Sequence, residues 1–405
     1  LYRGTRSEQN AMTGPLSGVR VVEITNVVAG PSTGVQLADQ GADVIKVESP
    51  TGDIIRASAN SGLPPMFISC NRGKRSISVD LKQDAAKKIL WALIEKADVF
   101  IENMRPGALT RLGFGKEKLT QCNPKLIYLS ITGFGESGPY ASKRVYDPLI
   151  QAVSGLADLQ GESITPKMVR TVIADKTTAA YATQAITAAL FHREKSGQGQ
   201  HIDLAMLDTM VNFLWPEGMS PYTIVDEGGI LPPPSHDRIF KTADGYITAG
   251  AVSDSEWNGL CIAMDREDLI KDPRFATQKL RTDNKDQRYR LMAEIFETRT
   301  SSEWVAALDA NDVPAAPVLK RSDMFKNEQI IHNGIINELE QPGVGIIRQP
   351  RPAAQFSKTP GAAPKPAPRL GQHSVEILSE LAFSKDEINA LINSQIVFQH
   401  SNKNN

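Results

Sequence analysis

The stretch Val172-Ile173-Ala174-Asp175-Lys176-Thr177-Thr178 sets one carboxylate between a short apolar run and a long alanine-rich pattern. Small and apolar residues then recur at Ala179, Ala182, Ala185, Ile186, Ala189 and Leu190, a helical spacing. Glu194-Lys195-Ser196-Gly197 closes the pattern with a glycine where helices commonly stop. Asp175 is therefore expected at or just before a helix N-terminus, where backbone N–H groups lack partners and the local potential is positive. Two roles fit an aspartate there. It can cap the helix, worth about 1 kcal/mol against alanine. It can also act as an ionised nucleophile that holds an acyl group as an anhydride. An ordinary aspartate, with pKa about 3.9, is ionised at neutral pH without a general base. The local residues leave both roles open.

The second chemical signal is basic. Asn71-Arg72-Gly73-Lys74-Arg75, with Lys82 beyond, flanks one strand candidate, and Asn103-Met104-Arg105-Pro106-Gly107, with Arg111, follows another. Gly133-Phe134-Gly135 leads on to Lys143-Arg144-Val145-Tyr146-Asp147. Any one group reads as a solvated patch. Several at comparable loops, in a chain of formal net charge −1, suggest a ligand carrying several phosphates.

The elements that must position these groups follow a strand–helix alternation. Val19–Ile24 is a strand candidate, followed by Ala29-Gly30-Pro31-Ser32-Thr33-Gly34 and a helical stretch ending at Gly41. Asp43–Glu48 is the next strand, so the opening has the outline of a nucleotide-binding βαβ unit. The G-x-G-x-x-G fingerprint is absent, although Glu48 lies where a ribose-binding acid would. An NAD-dependent oxidoreductase is therefore carried only as an alternative. Further strands are expected over Ser76–Asp80, Asp98–Glu102 and Lys125–Thr132, with an amphipathic helix from Lys82 to Lys96 burying Ile89, Leu90, Leu93 and Ile94. These predict an α/β fold with a doubly wound, mostly parallel sheet, whose ligand loops follow the carboxyl ends of the strands.

Other chemistries are disfavoured. The 3 cysteines, Cys70, Cys122 and Cys261, are odd in number and lack CxxC spacing, which argues for a reducing, cytoplasmic compartment and against a zinc site or disulfide scaffold. Cys70 reads as an inert, partly buried thiol. The 6 histidines show no ligand spacing, no metal is expected, and His236 in Ser235-His236-Asp237 reads as a loop residue. The charge balance speaks against nucleic acid, and no apolar run approaches the ~18 residues that span a bilayer. Residues 1–12 are polar and are set aside as an extension, with Met12 read as the native start.

Glu227-Gly228-Gly229-Ile230-Leu231-Pro232-Pro233-Pro234 breaks the regular pattern and suggests a boundary. Residues 13–226 are read as the first part of the large domain, 227–330 as a smaller α+β domain, and 331–397 as a return segment completing the large one. Gln341–Leu370, rich in proline and alanine, is expected to run extended, with Ile346, Ile347 and Phe356 packing it down. Helices are expected over Ser374–Ala382 and Lys385–Ile392.

From about Pro15 to Val397 the chain resembles the class III CoA-transferases, which include formyl-CoA transferase, carnitine CoA-transferase and 2-methylacyl-CoA racemases. The resemblance rests on Pro15-Leu16-Ser17-Gly18-Val19-Arg20-Val21, Ala29-Gly30-Pro31, Gly41 to Glu48, Asn71 to Ser76 and Ile101 to Leu109. The Asp175 stretch, Gly197-Gln198-Gly199-Gln200 and Leu370-Gly371-Gln372-His373 add to it. It implies a Rossmann-like large domain, a small domain and an interlocked homodimer. It also implies that Asp175 is the nucleophile, that no cofactor is permanently bound, and that a CoA thioester is the substrate. The positions matching CoA contacts are Val28, Ala29, Val79, Lys82, Asn103, Met104, Arg105, Arg111, Arg144, Tyr146 and Asp147. Two positions depart. Ser49 stands where the family often has arginine, and Tyr146 stands where its racemases carry a histidine base. The resemblance therefore implies transfer of CoA from a donor such as succinyl-CoA to a carboxylic acid, with 2-methylacyl-CoA racemisation as the alternative.

Overall fold

A computed structural model describes residues 14–161, 165–225, 239–361 and 363–400. The expected N-terminal extension, the Gly228–Pro234 break and His236 lie outside the described residues. The chain divides into two compact units, one formed by Leu1–Leu231 with Gly334–Asn405 and the other by Pro232–Asn333.

The larger unit opens with β1 (Arg20–Ile24), α1 (Ala29–Asp39) and β2 (Asp43–Glu48). There follow α2 (Pro65–Asn71), β3 (Arg75–Val79), α3 (Asp84–Glu95), β4 (Val99–Glu102), α4 (Ala108–Arg111), α5 (Lys116–Cys122) and β5 (Ile127–Thr132). Next come α6 (Asp147–Val153), α7 (Leu156–Leu159), α8 (Ile173–Ser196), β6 (Gln200–Ala205) and α9 (Met206–Gly218). Strands β1 to β6 pair in parallel in the order β3-β2-β1-β4-β5-β6.

Period-two alternation decides which helix covers which face. Val22, Ile24, Ile45, Val47, Ile77 and Val79 point to the side where α3 buries Ile89, Leu90, Leu93 and Ile94. Val21, Val44, Ile101, Leu129 and Ile131 point to the other, against Leu37 of α1 and Ala182, Ile186 and Leu190 of α8. Both faces of the inner strands β4 and β5 are covered and every residue in them is buried, whereas the edge strand β6 is largely half-buried or exposed.

The smaller unit carries β7 (Ile239–Lys241), β8 (Tyr246–Ala249) and β9 (Ala315–Pro317) as a three-stranded antiparallel sheet. The expected hairpin at Thr242–Tyr246 joins the first two. Its helices Asp254–Ala263 and Ser301–Asp309 begin on capping boxes, Ser253 with Glu256 and Thr300 with Glu303, and enclose Trp257, Phe296 and Trp304.

The first part of the stretch expected to run extended, Gln341 to Pro350, instead joins a hairpin of β10 (Ile336–Gln341) and β11 (Gly345–Pro350). Between Pro350 and Ser374 the described residues form no helix or strand, and Phe356 is exposed. Ile347 packs against the cluster of Leu63, Phe67, Ile68 and Ala367, as expected, but Ile346 on the opposite face is exposed. The alternation of a hairpin, rather than a loose extended segment, explains the difference. Helices Ser374–Glu380 and Lys385–Asn393 follow, and β12 (Val397–Phe398) adds antiparallel to β3.

Beneath α1 lies a buried charge cluster. Lys74 Nζ donates to Glu23 Oε1 at 2.7 Å, to the Pro31 carbonyl at 2.8 Å and to Asn71 Oδ1 at 3.0 Å. Lys46 Nζ lies 3.4 Å from the same Glu23 oxygen and 3.3 Å from Asp53 Oδ2. Burial pushes the Lys74 ammonium down to about 8 against the pull of Glu23. A Cβ on Gly34 would stand 2.1 Å from Glu23 Oε2, so glycine there lets helix and carboxylate close together. Removing one partner from such a cluster strands buried charge. Glu23→Ala is accordingly expected to cost about 3–5 kcal/mol of unfolding free energy. Urea denaturation checks this, and a loss below about 1 kcal/mol would show that the two ammonium groups find other partners.

Candidate active site

The strand order changes direction between β1 and β4, and in open α/β sheets ligands gather outside the carboxyl ends at that point. A cavity of about 330 Å³ opens there. Its walls come from the loops after β1 (Asn26, Val27, Ala29), after β4 (Asn103 to Pro106) and after β5 (Thr132, Gly133), together with Lys143 to Tyr146 and Asp175. A second cavity of about 240 Å³ lies over β2 and β3, lined by Ser49, Val79 and Lys82. Asn26 and Met104 line both. Through these shared residues the two cavities adjoin along the carboxyl edge of the sheet.

Asp175 does not cap its own helix. That helix starts two residues earlier, at Ile173, with Val172 in the cap position and no side-chain cap bond. The Asp175 carboxylate instead accepts a hydrogen bond from the backbone N–H of Ala29, at 3.2 Å, the first residue of α1. It therefore sits where two helix N-termini meet, a setting that favours an anion. Burial and the neighbouring Asp147 carboxylate oppose this and raise its pKa to about 6, with the Ala29 N–H pulling the other way. The margin of ionisation at neutral pH is thus narrower than an ordinary aspartate would have.

Asp147, at the start of α6, is buried, and its Oδ2 accepts from the Asp175 backbone N–H at 3.0 Å. Gln151 donates to Asp147 Oδ1, and its side chain also bonds the backbone of Val169 and Thr171. One turn of α6 thereby fixes the chain that enters α8.

The loop after β1 is strained. Val27 has φ +68°, in the left-handed region that a β-branched residue avoids. Such a conformation costs about 1–3 kcal/mol and persists only where neighbours impose it. Asn103 supplies one constraint by pairing both backbone groups of Asn26, accepting from N–H at 2.9 Å and donating to C=O at 2.8 Å. Gly30 supplies another, since a Cβ there would stand 2.6 Å from the Thr25 side chain.

The candidate residues from the sequence distribute as follows. Ala29, Asn103, Met104, Arg105, Arg144, Tyr146 and Asp175 line the first cavity. Val79 and Lys82 line the second with Met104. Val28 is buried beside the first cavity, and its neighbours Val27 and Ala29 rather than Val28 itself form the wall. Arg111 is exposed on α4, one turn from Gly107, and lines neither cavity. The carboxylate of Asp147 is turned to Asp175 and Gln151. Asn26 and Val27 escaped the sequence reading because a strained loop made of ordinary residues leaves no local mark.

The basic groups separate sharply. Those around Asn71–Arg75 lie before and at the start of β3 and are paired within the chain: Arg72 with Asp39, Lys74 with Glu23, and Arg75 with Asp43, Glu376 and Glu380. The expectation that they face a ligand is corrected by that pairing. Lys82, Arg105, Arg111 and Arg144 form no ion pair among the described residues, and Lys143 lies over the Tyr140 ring at 3.4 Å. Glu48 is likewise occupied, binding Arg56 at 2.7 and 2.8 Å, Ser76 Oγ at 2.8 Å and the Asp53 N–H at 3.1 Å. It has no oxygen left for a ribose, which removes the support for an NAD site. No metal-holding group of His, Cys, Asp and Glu occurs among the described residues. No helix among them is long and apolar enough to cross a membrane.

Residues 16–374 match the model of CoA-transferase family III. The chain belongs to that family. It is 35% identical to human succinyl-CoA:glutarate CoA-transferase, over 95% of this chain and 90% of the relative. It is 36% identical to succinate–glutarate CoA-transferase of Agrobacterium fabrum, over 91% and 96%. Among solved structures, a CAIB/BAIF family protein from Brucella suis superposes with TM-score 0.80 at 34% identity, over 91% of this chain and all of the other. The protein is thus a CoA-transferase, which moves CoA between an acyl thioester and a carboxylic acid.

In this transferase the Asp147 carboxylate is one cause of the raised Asp175 pKa. Asp147→Asn keeps an oxygen for the Asp175 N–H but removes the charge. It is expected to bring the Asp175 titration down toward the ordinary carboxyl range. Carbon-13 NMR of aspartate-labelled protein, with Asp175→Asn for assignment, reads the shift; an unmoved titration would leave burial as the sole cause.

Proposed function

We propose that this enzyme transfers CoA from a short acyl-CoA, with succinyl-CoA as the leading donor, to a small carboxylic acid by way of acyl intermediates on Asp175. The Asp175 carboxylate attacks the thioester carbonyl, the C–S bond breaks, and an aspartyl–acyl anhydride and CoA thiolate form. The thiolate attacks the aspartyl carbonyl, giving an aspartyl-CoA thioester and releasing the first acid as its carboxylate. The incoming carboxylate attacks that thioester, forming a new anhydride and freeing the thiolate again. Attack of the thiolate on the new acyl carbonyl yields the product thioester and restores Asp175. Charge is conserved at each step, and the exchange needs positioning and exclusion of water more than proton transfer.

The observation that carries this reading is the Asp175 carboxylate, the one acidic group among the described residues lining the first cavity, at the junction of two helix N-termini and beside Arg105 and Arg144, which form no ion pair among the described residues. N–H groups in the first turn of α1 are suited to the developing oxyanion. Arg105, Lys143 and Arg144 line the cavity with Asp175, while Lys82 lines the adjoining one, a spread that suits an extended phosphorylated thioester. The acids named for the human and Agrobacterium relatives, succinate and glutarate, favour dicarboxylates. Racemisation is the weaker reading, because no histidine among the described residues lines the cavity to serve as the second base. An interlocked homodimer belongs to the same proposal. It is supported by the exposed apolar side chains Phe213, Trp215, Tyr222 and Val225, and sedimentation mass tests it.

Asp175→Asn and Asp175→Ala are expected to lower CoA exchange into labelled succinate or glutarate by about 10³-fold or more. Hydroxylamine trapping followed by mass spectrometry should find the hydroxamate on the Asp175 peptide of the wild type alone. Retention of near wild-type exchange by either variant removes Asp175 from the chemistry.

Because the nucleophile must be ionised and its pKa is raised to about 6, activity should fall as pH drops through that value. The acid limb of kcat/KM for acyl-CoA should therefore lie near pH 6, well above the limb an ordinary aspartate would give. A limb near the ordinary aspartate value would contradict the burial seen here.

A further inference from the structure

The strained turn that delivers the Ala29 N–H to Asp175 is gripped from below by a group with no assigned role. Asp53 is buried to 1% exposure, and its Oδ1 accepts from the N–H of Val27 at 3.3 Å. Its Oδ2 has no hydrogen-bond partner, and the Lys46 ammonium lies 3.3 Å away. Lys46 in turn donates to the Thr25 carbonyl at 2.7 Å. One buried ion pair therefore holds the backbone on both sides of Asn26. Val27 itself is in the left-handed conformation. Two residues on, Ala29 meets Asp175.

We propose that Asp53, neutralised by Lys46, is a positioning residue for the transfer reaction: by holding Val27 in its left-handed conformation it aims the Ala29 N–H at the Asp175 carboxylate. The inference rests on the reading of Asp175 as nucleophile. A competing role exists, since Asp53 Oδ1 also accepts from the Ile55 N–H at 3.1 Å and caps the short turn Ile54–Ser58. A residue that only caps would affect stability and leave the chemistry alone.

The sign of a pH shift separates these. Asp175 is faced by Asp147 from α6, with Lys176 beside it on α8 and Arg105, Lys143 and Arg144 around the cavity. Removing a negative charge at position 53 by itself favours the ionised form of Asp175 and moves the acid limb to lower pH. Losing the Ala29 donor disfavours that form and moves the limb to higher pH.

The experiment compares Asp53→Ala with Asp53→Asn, which retains an oxygen for Val27 but no charge, in steady-state CoA transfer across the acid limb. Asp53→Ala is expected to lower kcat by about 10²-fold with KM for acyl-CoA little changed, and to shift the limb to higher pH. Asp53→Asn is expected to stay within a few fold, with no alkaline shift. Glycine adopts positive φ readily, so the loss caused by Asp53→Ala should shrink in a Val27→Gly background.

An unshifted or acid-shifted limb in Asp53→Ala, or the same loss in both backgrounds, overturns the proposal. Asp53→Asn as impaired as Asp53→Ala does so too. Should Asp53→Ala not accumulate as folded protein, Asp53→Ser, too short to reach Val27, carries the same comparison. If neither folds while Asp53→Asn does, Asp53 belongs to stability and the proposal fails. Hydroxylamine trapping of the wild type is run alongside. Its failure removes the nucleophile reading, whereas trapped Asp175 with an unmoved limb rejects only the role given to Asp53.

Discussion

The meeting of the Asp175 carboxylate with the backbone N–H of Ala29 joins two helices whose amino ends converge over the edge of the sheet. Opposing effects act on that carboxylate. The Ala29 N–H and the helix ends favour its charge, while burial and the Asp147 carboxylate disfavour it. The balance leaves an anion that is ionised at neutral pH yet poorly solvated. In the proposed reaction both properties would favour attack, because a fully hydrated carboxylate must shed water first.

That geometry depends on support far from the cavity. The N-terminus of α1 is aimed by the turn Thr25–Val28, and the turn is held by Asn103 through both backbone groups of Asn26. Beneath it, Glu23, Lys46, Lys74 and Asp53 form a buried ionic cluster in a site where apolar packing would have been the simpler solution. Buried pairs of this kind contribute little net stability, but each has a restricted geometry and fixes the backbone it touches. The arrival of α8 is set independently, by Asp147 and Gln151 on α6. Two separate polar systems thus converge on one contact of 3.2 Å.

Charge pairing also divides the basic residues into two sets. The chain holds 45 basic and 46 acidic residues, so net charge alone says nothing about a polyanionic ligand. At the amino edge of β3 the arginines and lysines are neutralised internally. At the carboxyl edge Lys82, Arg105 and Arg144 are left without ion pairs among the described residues. A phosphate arriving there displaces only water from these cations, whereas at the other edge it would have to break existing ion pairs.

Much of the fold follows from local spacing. The alternation in β1 and β2, the apolar stripe of α3 and the alanine pattern of α8 are periodicities written into neighbouring residues, and each element formed within a few positions of its expected bounds. The order of chemistry-bearing motifs, with Asp175 opening α8, was readable for the same reason. Properties depending on distant partners were not. Nothing near Arg72 or Arg75 announces that Asp39, Asp43 and Glu380 will neutralise them, and the alternation of β10 and β11 was masked by flanking prolines. Val27 is an ordinary strand-forming residue by type. Its left-handed backbone is imposed by Asn103 and Asp53, which lie far along the chain or across the sheet. The amino-acid order by itself determined the elements and set Asp175 near the start of a long helix; tertiary structure alone decided which cations stay without ion pairs among the described residues and where the Asp175 charge is held, because both are set by contacts between residues remote in sequence.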